Sequence, residues 1–319
     1  MSRYIERAEN NARLLDVNQQ LTLDFENHPE SSIRLHWEAI ISSLEENQLF
    51  YRLHEEPNAE SVMDFVAFEP KNPNSIYSCL SVARENARAV REQISSEMWE
   101  ELNSLYLFVV SRHSRKVFAG SAHEFFKRIV DGSHLFQGIS DATMTHGEGW
   151  EFMQMGKHLE RSDNTSRILD VKYHILLPTG EQVGGTIDTV QWMAVLKSCS
   201  ALEAYRKLYV GQVAPWKVAE FLVLNSNFPR SIRSCVDQVN AALHRISGAP
   251  IPGFSNEAER KAGKLSAELD YSSITEIFHL GLHQYLGDIQ IRLSDIDEAM
   301  HRIYCGWSMA EQQQQQQIA

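Results

Sequence analysis

A stretch at the start of this 319-residue chain recurs near its middle, and that recurrence restricts the architecture more than any other feature. Met1–Val17 reads MSRYIERAENNARLLDV and Met155–Val171 reads MGKHLERSDNTSRILDV. At an offset of 154, eight of the seventeen positions are identical. The match then stays in register. Trp37 falls on Trp192 at 155, Phe65-Val66 on Phe221-Leu222 at 156, and Pro73–Cys79 on Pro229–Cys235, also at 156. Matches held in step over such a span indicate a duplication, although two units are fewer than a solenoid needs. The expected architecture is all-α: two pseudo-symmetric helical-bundle repeats, 1–148 and 149–307, packed as one unit about a pseudo-two-fold axis. A Gln-rich tail, 308–319, follows. A polar single-residue run cannot bury a core, so the tail reads as disordered.

Helix is the expected local structure throughout. The nine prolines lie at helix-boundary positions, with Leu, Ala, Glu, Arg and Gln between them, and alternating strand patterns are nearly absent. The pattern predicts long helices at about 2–23, 31–53, 75–95, 97–130, 149–176, 187–209, 229–247, 256–269 and 272–306, and shorter ones near 59–68, 134–145 and 215–225.

On a helical wheel of 1–17, Tyr4, Ile5, Ala8, Ala12 and Leu15 form an apolar stripe in which small alanines allow close helix approach. Glu6, Asn10 and Arg13 lie on the adjoining stripe. Glu9, Arg13 and Asp16 follow the spacing of a local ion-pair ladder. The second copy carries Glu160, Arg161, Asp163, Asn164, Arg167 and Asp170 at the places of Glu6, Arg7, Glu9, Asn10, Arg13 and Asp16. Three readings stay open for this set: an inter-repeat structural network, a ligand or catalytic cleft, and a solvated face. The adjoining apolar stripe and the retention of type at six polar places favour the first two. Both motif helices are expected side by side near the centre. Arg7 or Arg13, and Arg161 or Arg167, should each pair with an acid outside their own helix, because a buried guanidinium needs most of its donors satisfied.

At these residues the chain resembles the Alpha-E family, bacterial all-helical proteins with a characteristic Glu-Arg pair, here Glu6-Arg7 and Glu160-Arg161. The context is Tyr4–Asn10 followed by Ala12–Val17, with Gly149-Trp150-Glu151-Phe152 leading into the second copy. The resemblance extends to about Trp307. It implies a link to circularly permuted ATP-grasp proteins, in systems that look built for amide ligation of peptides. The second motif is preceded by Glu148–Gln154 and the first by nothing equivalent. A first helix one to two turns shorter is therefore expected, with an incomplete start and exposed apolar surface where counterparts of Trp150, Phe152 and Met153 would pack.

Other chemistries find little support. A net charge of −12 argues against nucleic acid or an anionic membrane as main partner. Cys79, Cys199, Cys235 and Cys305 form no CxxC pair, which fits a reducing cytoplasm. Cys79 and Cys235, at equivalent repeat places, read as small core residues. The N-terminus lacks the apolar run of a signal peptide. No Walker loop, GxGxxG or GxSxG motif occurs, so no nucleotide fold and no cofactor are expected. Glu276-x-x-His279 and Glu298-x-x-His301 match a di-iron pattern. On one continuous helix they would lie about 33 Å apart, too far to share a metal, and His279 with His283 reads as ordinary helix surface. Phe125-Phe126, Trp37, Trp192 and Trp216 read as core or interface aromatics. Two functions remain open: a partner or accessory protein of an ATP-grasp ligase that binds an amino-acid or peptide ligand at the Glu-Arg motifs, or an enzyme acting on such a substrate. In both, arginine would grip a carboxylate. In the enzyme, glutamate would serve as base.

Overall fold

The computed structural model describes residues 1–24, 30–174 and 185–306, and all of these that are regular are helical; no strand occurs among them. The expected tail, 308–319, lies outside the described residues. Among the described residues eight α-helices precede residue 148: α1 (Ser2–Asp24), α2 (Glu30–Ser43), α3 (Asn47–Leu53), α4 (Ala59–Ala67), α5 (Ile76–Ala89), α6 (Ser96–Val110), α7 (Arg112–Gly120) and α8 (Ala122–Thr143). Eight follow: α9 (Glu148–His174), α10 (Thr186–Ser198), α11 (Leu202–Leu208), α12 (Pro215–Leu224), α13 (Ile232–Ser247), α14 (Glu257–Tyr271), α15 (Ile274–Leu280) and α16 (Leu282–Met300). A π-helical turn, His301–Cys305, extends the last. No described helix is long and apolar enough to cross a membrane.

Several predicted long helices are broken, each for a local reason. The 31–53 and 187–209 windows both split at a tight turn. Glu45 and Ser200 take positive φ there, 58° and 51°. The next amides, of Glu46 and Ala201, donate back to the Ile41 and Leu196 carbonyls, closing a Schellman-type end without glycine. The 97–130 window becomes three helices because Ser111 and Ser121 act as N-caps, accepting from the amides of Ser114 and Glu124. The last of these, α8, absorbs the short helix expected at 134–145. Gly281, at φ 94°, divides the 272–306 window. The two Glu-x-x-His motifs thus lie on separate segments, contrary to the single helix expected. Among the described residues no group of three or more potential metal ligands gathers anywhere.

Two hydrophobic cores form, one from residues 5–136 and one from 155–299. Trp37, Phe50, Phe65, Phe125, Phe126 and Phe136 fill the first, and Trp192, Tyr205, Phe221 and Phe228 the second. Each such side chain contributes roughly 1.5–3 kcal/mol on burial. Trp216, read as a core or interface aromatic, lies outside both cores, 49% exposed, with the Lys217 ammonium over its ring. Cys79 and Cys235 are fully buried, each Sγ turned to a proline carbonyl, of Pro73 and Pro229. Burial pushes both thiols up to about 12.

Helices α1 and α9 pack against each other between these cores. Ile5, Ala8, Ala12 and Leu15 of the α1 stripe are buried, while Tyr4 is half-exposed. The approach is close at Gly156, where a Cβ would stand 3.2 Å from Ser2 Oγ and 3.6 Å from Arg3 Cβ. Ser2 Oγ also donates to the Met153 carbonyl at 2.7 Å. Helix α9 begins eight residues ahead of Gly156, the counterpart of Ser2.

Candidate functional site

Because α1 and α9 lie side by side, the polar stripe of each motif faces the other copy. Arg7 of α1 reaches Glu160 of α9 through two parallel bonds, Nε to Oε1 at 2.6 Å and Nη2 to Oε2 at 2.8 Å. Arg161 of α9 reaches back to α1, with Nε 3.0 Å from Glu6 Oε1, though that N–H is not aligned as a hydrogen bond. Each Glu-Arg pair is therefore split and recombined across the helix interface. The result is two centres, one around Glu6 and one around Glu160.

The Glu6 centre is closed. Glu6 and Glu9 have no solvent exposure, and Arg13, Arg161 and Arg230 are nearly as deep. Arg230, at the entrance to α13, donates to Glu6, to Glu9 and, at 3.2 Å, to Asn10 Oδ1. Arg13 donates to Glu9 and to the Ser198 carbonyl at the end of α10. Helix α8 supplies the rest. Ser133 Oγ lies 2.7 Å from Glu9, His134 Nε2 3.1 Å from Glu9, and Gln137 Nε2 3.0 Å from Glu6, while Gln137 Oε1 accepts from Arg161 at 2.8 Å. Burial alone would raise the Glu6 pKa, but Arg230, Arg161 and Arg13 outweigh it and hold the carboxyl well below its ordinary value. Burial and the neighbouring Arg230 charge bring Arg13 down to about 9. Three guanidiniums around two carboxylates leave the centre with excess positive charge.

The Glu160 centre is open. Glu160 is 1% exposed, but its surroundings form the wall of a cavity of about 240 Å³ lined by Arg3, Arg7, Asn74, Glu160, Asp163 and Arg167, among others. Arg3 donates to Glu160 at 3.0 Å and to Asp297 of α16 at 2.7 Å. Arg167 donates to Asp163 at 2.8 Å and stands 2.7 Å from Glu45, which the α2–α3 turn presents. Asn164 Nδ2 donates to Glu160 Oε1 at 3.1 Å. Asn74 accepts from Arg7 Nη1 at 2.8 Å and donates to Glu46 at 2.8 Å. Burial raises the Asp163 pKa by more than Arg167 lowers it. Here four carboxylates, Glu45, Glu160, Asp163 and Asp297, face three guanidiniums, of Arg3, Arg7 and Arg167.

Ten of the twelve sequence candidates thus gather in these two centres: Glu6, Glu9, Asn10, Arg13 and Arg161 in one, Arg7, Glu160, Asp163, Asn164 and Arg167 in the other. Asp16 and Asp170 do not. Asp16 does not extend the Glu9–Arg13 pair into a ladder; it pairs instead with His123 at 2.8 Å, and Asp170 pairs with His283 at 2.6 Å. Sequence reasoning missed Arg3, Asn74, Gln137, Arg230 and Asp297 as site members. Arg230 carried a signal, since it is the single charged replacement within the matched Pro73-Asn74-Ser75 and Pro229-Arg230-Ser231 triplets. Gln137 and Asp297 arrive from distant helices and carried none.

Uncharacterized proteins of Mycobacterium bovis and of two strains of Mycobacterium tuberculosis are each 23% identical to the chain over 322 residues, covering 94% of it. The matched region is 35% of each relative, so the chain spans about a third of their length. No solved structure matches the chain. A family model described as "a predicted alpha-helical domain with a conserved ER motif" matches residues 1–305, and the two Glu-Arg pairs of this chain meet at its centre; the chain belongs to the Alpha-E family.

Proposed function

We propose that the chain is a helical accessory protein of an ATP-grasp-type amide or peptide ligase system, working in the cytoplasm, and that the Glu160 centre holds an amino-acid or peptide ligand. One observation carries the ligand reading. Of two motif centres built from the same residue types, one is sealed by Arg230 and the other opens into a cavity of about 240 Å³. A network needed only for stability has no use for the difference. Arg3 Nη2 and Arg167 Nη2 have no acceptor among the described residues, which leaves donors for a ligand carboxylate. The partner reading rests on the family resemblance. It is supported by relatives in which the same unit makes up about a third of a longer chain, and so works beside other protein mass. The alternative, an enzyme using glutamate as base, fits less well, because both Glu160 oxygens already accept from arginine.

The test has two arms. The chain is co-expressed with a neighbouring ATP-grasp protein and co-purified. The pair is then incubated with ATP and amino acids, and the products are read by mass spectrometry. The proposal expects a stable complex and an amide product that depends on both proteins, lost in Glu160→Ala while the complex persists. Product formation by the helical chain alone would favour the enzyme. Failure to associate would remove the partner reading.

A further inference from the structure

The closed centre contains a template for what the open one binds. Residues 74 and 230 occupy the same place in their halves, since Ser75 and Ser231 cap α5 and α13, accepting from the amides of Ser78 and Ser234. The position-11 side chain and its counterpart fix each backbone alike. Asn11 Nδ2 donates to the Asn74 carbonyl at 2.6 Å, and Thr165 Oγ1 to the Arg230 carbonyl at 2.8 Å. From there Arg230 sends its guanidinium across the interface to Glu6, Glu9 and Asn10. The counterparts of those three acceptors are Glu160, Asp163 and Asn164, and all three line the cavity. Asn74 is too short to reach them as Arg230 does, and its amide is taken up by Arg7 and Glu46.

Charge points the same way. Arg7 and Arg167 reproduce the contacts that Arg161 and Arg13 make in the closed half; Arg3 gives Glu160 its second guanidinium, but nothing reproduces the reach of Arg230 to Glu9 and Asn10. The open centre holds four carboxylates against three guanidiniums, and Asp163 is partly starved of counter-charge: burial pushes its pKa up by more than Arg167 pulls it down. Asp163 has one ion-pair partner, Arg167, and a second cation would stabilise its charged form further.

We infer that the open centre binds the cationic end of its ligand, a primary ammonium or guanidinium, seated against Asp163 and Asn164 at the place where Arg230 meets Glu9 and Asn10 in the other half. This rests on the reading that the Glu160 cavity is a ligand site. It makes the ligand an amine, the class of substrate that amide ligation consumes as nucleophile.

The test uses the whole chain and isothermal titration at low salt with three probes: agmatine, which is cationic with no carboxylate; glutarate, which is anionic; and glycylglycine, which carries both groups. Agmatine is expected to bind one to one and glutarate not to bind. Asn74→Arg, which rebuilds the internal guanidinium, should weaken agmatine at least about tenfold, and Asp163→Asn should do the same if that first variant fails to fold. Glutarate binding without agmatine would overturn the cation assignment and leave the ligand site standing. Binding of no probe would overturn both. Agmatine binding that survives Asn74→Arg and Asp163→Asn unchanged would place the cation elsewhere and overturn the inference.

Discussion

The two Glu-Arg centres share a blueprint and differ in one decisive residue. Around Glu6 every carboxylate oxygen meets a donor, and Arg230 fills the space between Glu6 and Glu9. Around Glu160 the same place belongs to Asn74, and a cavity takes the volume. The difference teaches how two helices that carry the same motif can differ in how far their charges are sealed from water. A buried ion network tolerates desolvation only when each charge is met by opposite charge and hydrogen bonds. In the sealed copy both carboxylates meet that condition, while the three guanidiniums around them leave an excess of positive charge. The open copy carries incompletely matched charge beside a cavity, where the proposal places a ligand.

The largest effect that would sharpen this contrast is the loss of a glutamate. Glu6→Ala takes from the nearly buried Arg161 its acid partner and from Arg230 one of its two, so urea unfolding should show a loss of about 3–5 kcal/mol. Glu160→Ala leaves arginines that water can reach from the cavity, and the loss should be about 1–2 kcal/mol. Equal losses would erase the distinction between the centres.

Acid titration should separate the halves by sign. The Glu6 pKa is held down in the fold, so its stabilisation is complete above the unfolded carboxylate value of about 4.3 and disappears as pH falls through the lowered folded value. The Asp163 pKa is raised, so its ionised form opposes folding, and stability from this group is gained as pH falls through the raised folded value. Unfolding free energies of Glu6→Gln and Asp163→Asn across the acid range should depart from the parent in opposite directions. Parallel departures would contradict the charge assignment.

A smaller effect concerns the two acids left out of the centres. The His123–Asp16 and His283–Asp170 pairs are solvent-facing, with both histidines at least half exposed. Replacing either histidine by alanine should change stability by less than about 0.5 kcal/mol. A larger, ligand-dependent change would bring these pairs into the site.

Much of this was legible before any coordinates. The all-helical class followed from composition and spacing, and the apolar stripe of 1–17 from its period. An acid outside its own helix for Arg7 or Arg13, and for Arg161 or Arg167, followed from the need of buried guanidinium for partners. What escaped was set by geometry that leaves a faint trace in sequence. The turns at Glu45 and Ser200 place non-glycine residues at positive φ, against local preference, so the helices seemed continuous. Ser111 and Ser121 end one helix and start the next, yet a serine within a helical pattern does not announce a cap. Gln137 and Asp297 reach the motif helices from far along the chain, through packing that no local pattern encodes.

The central claim, that the motif copies pair reciprocally across α1 and α9 with one centre sealed and one open, is tested most directly by two double-mutant cycles. One combines Glu6→Gln with Arg230→Gln, the other Glu160→Gln with Arg7→Gln, each read by urea unfolding. Both pairs should couple, and the Glu6–Arg230 coupling should exceed the Glu160–Arg7 coupling by at least about 1 kcal/mol. Couplings of equal size, or none across the helices, would contradict it.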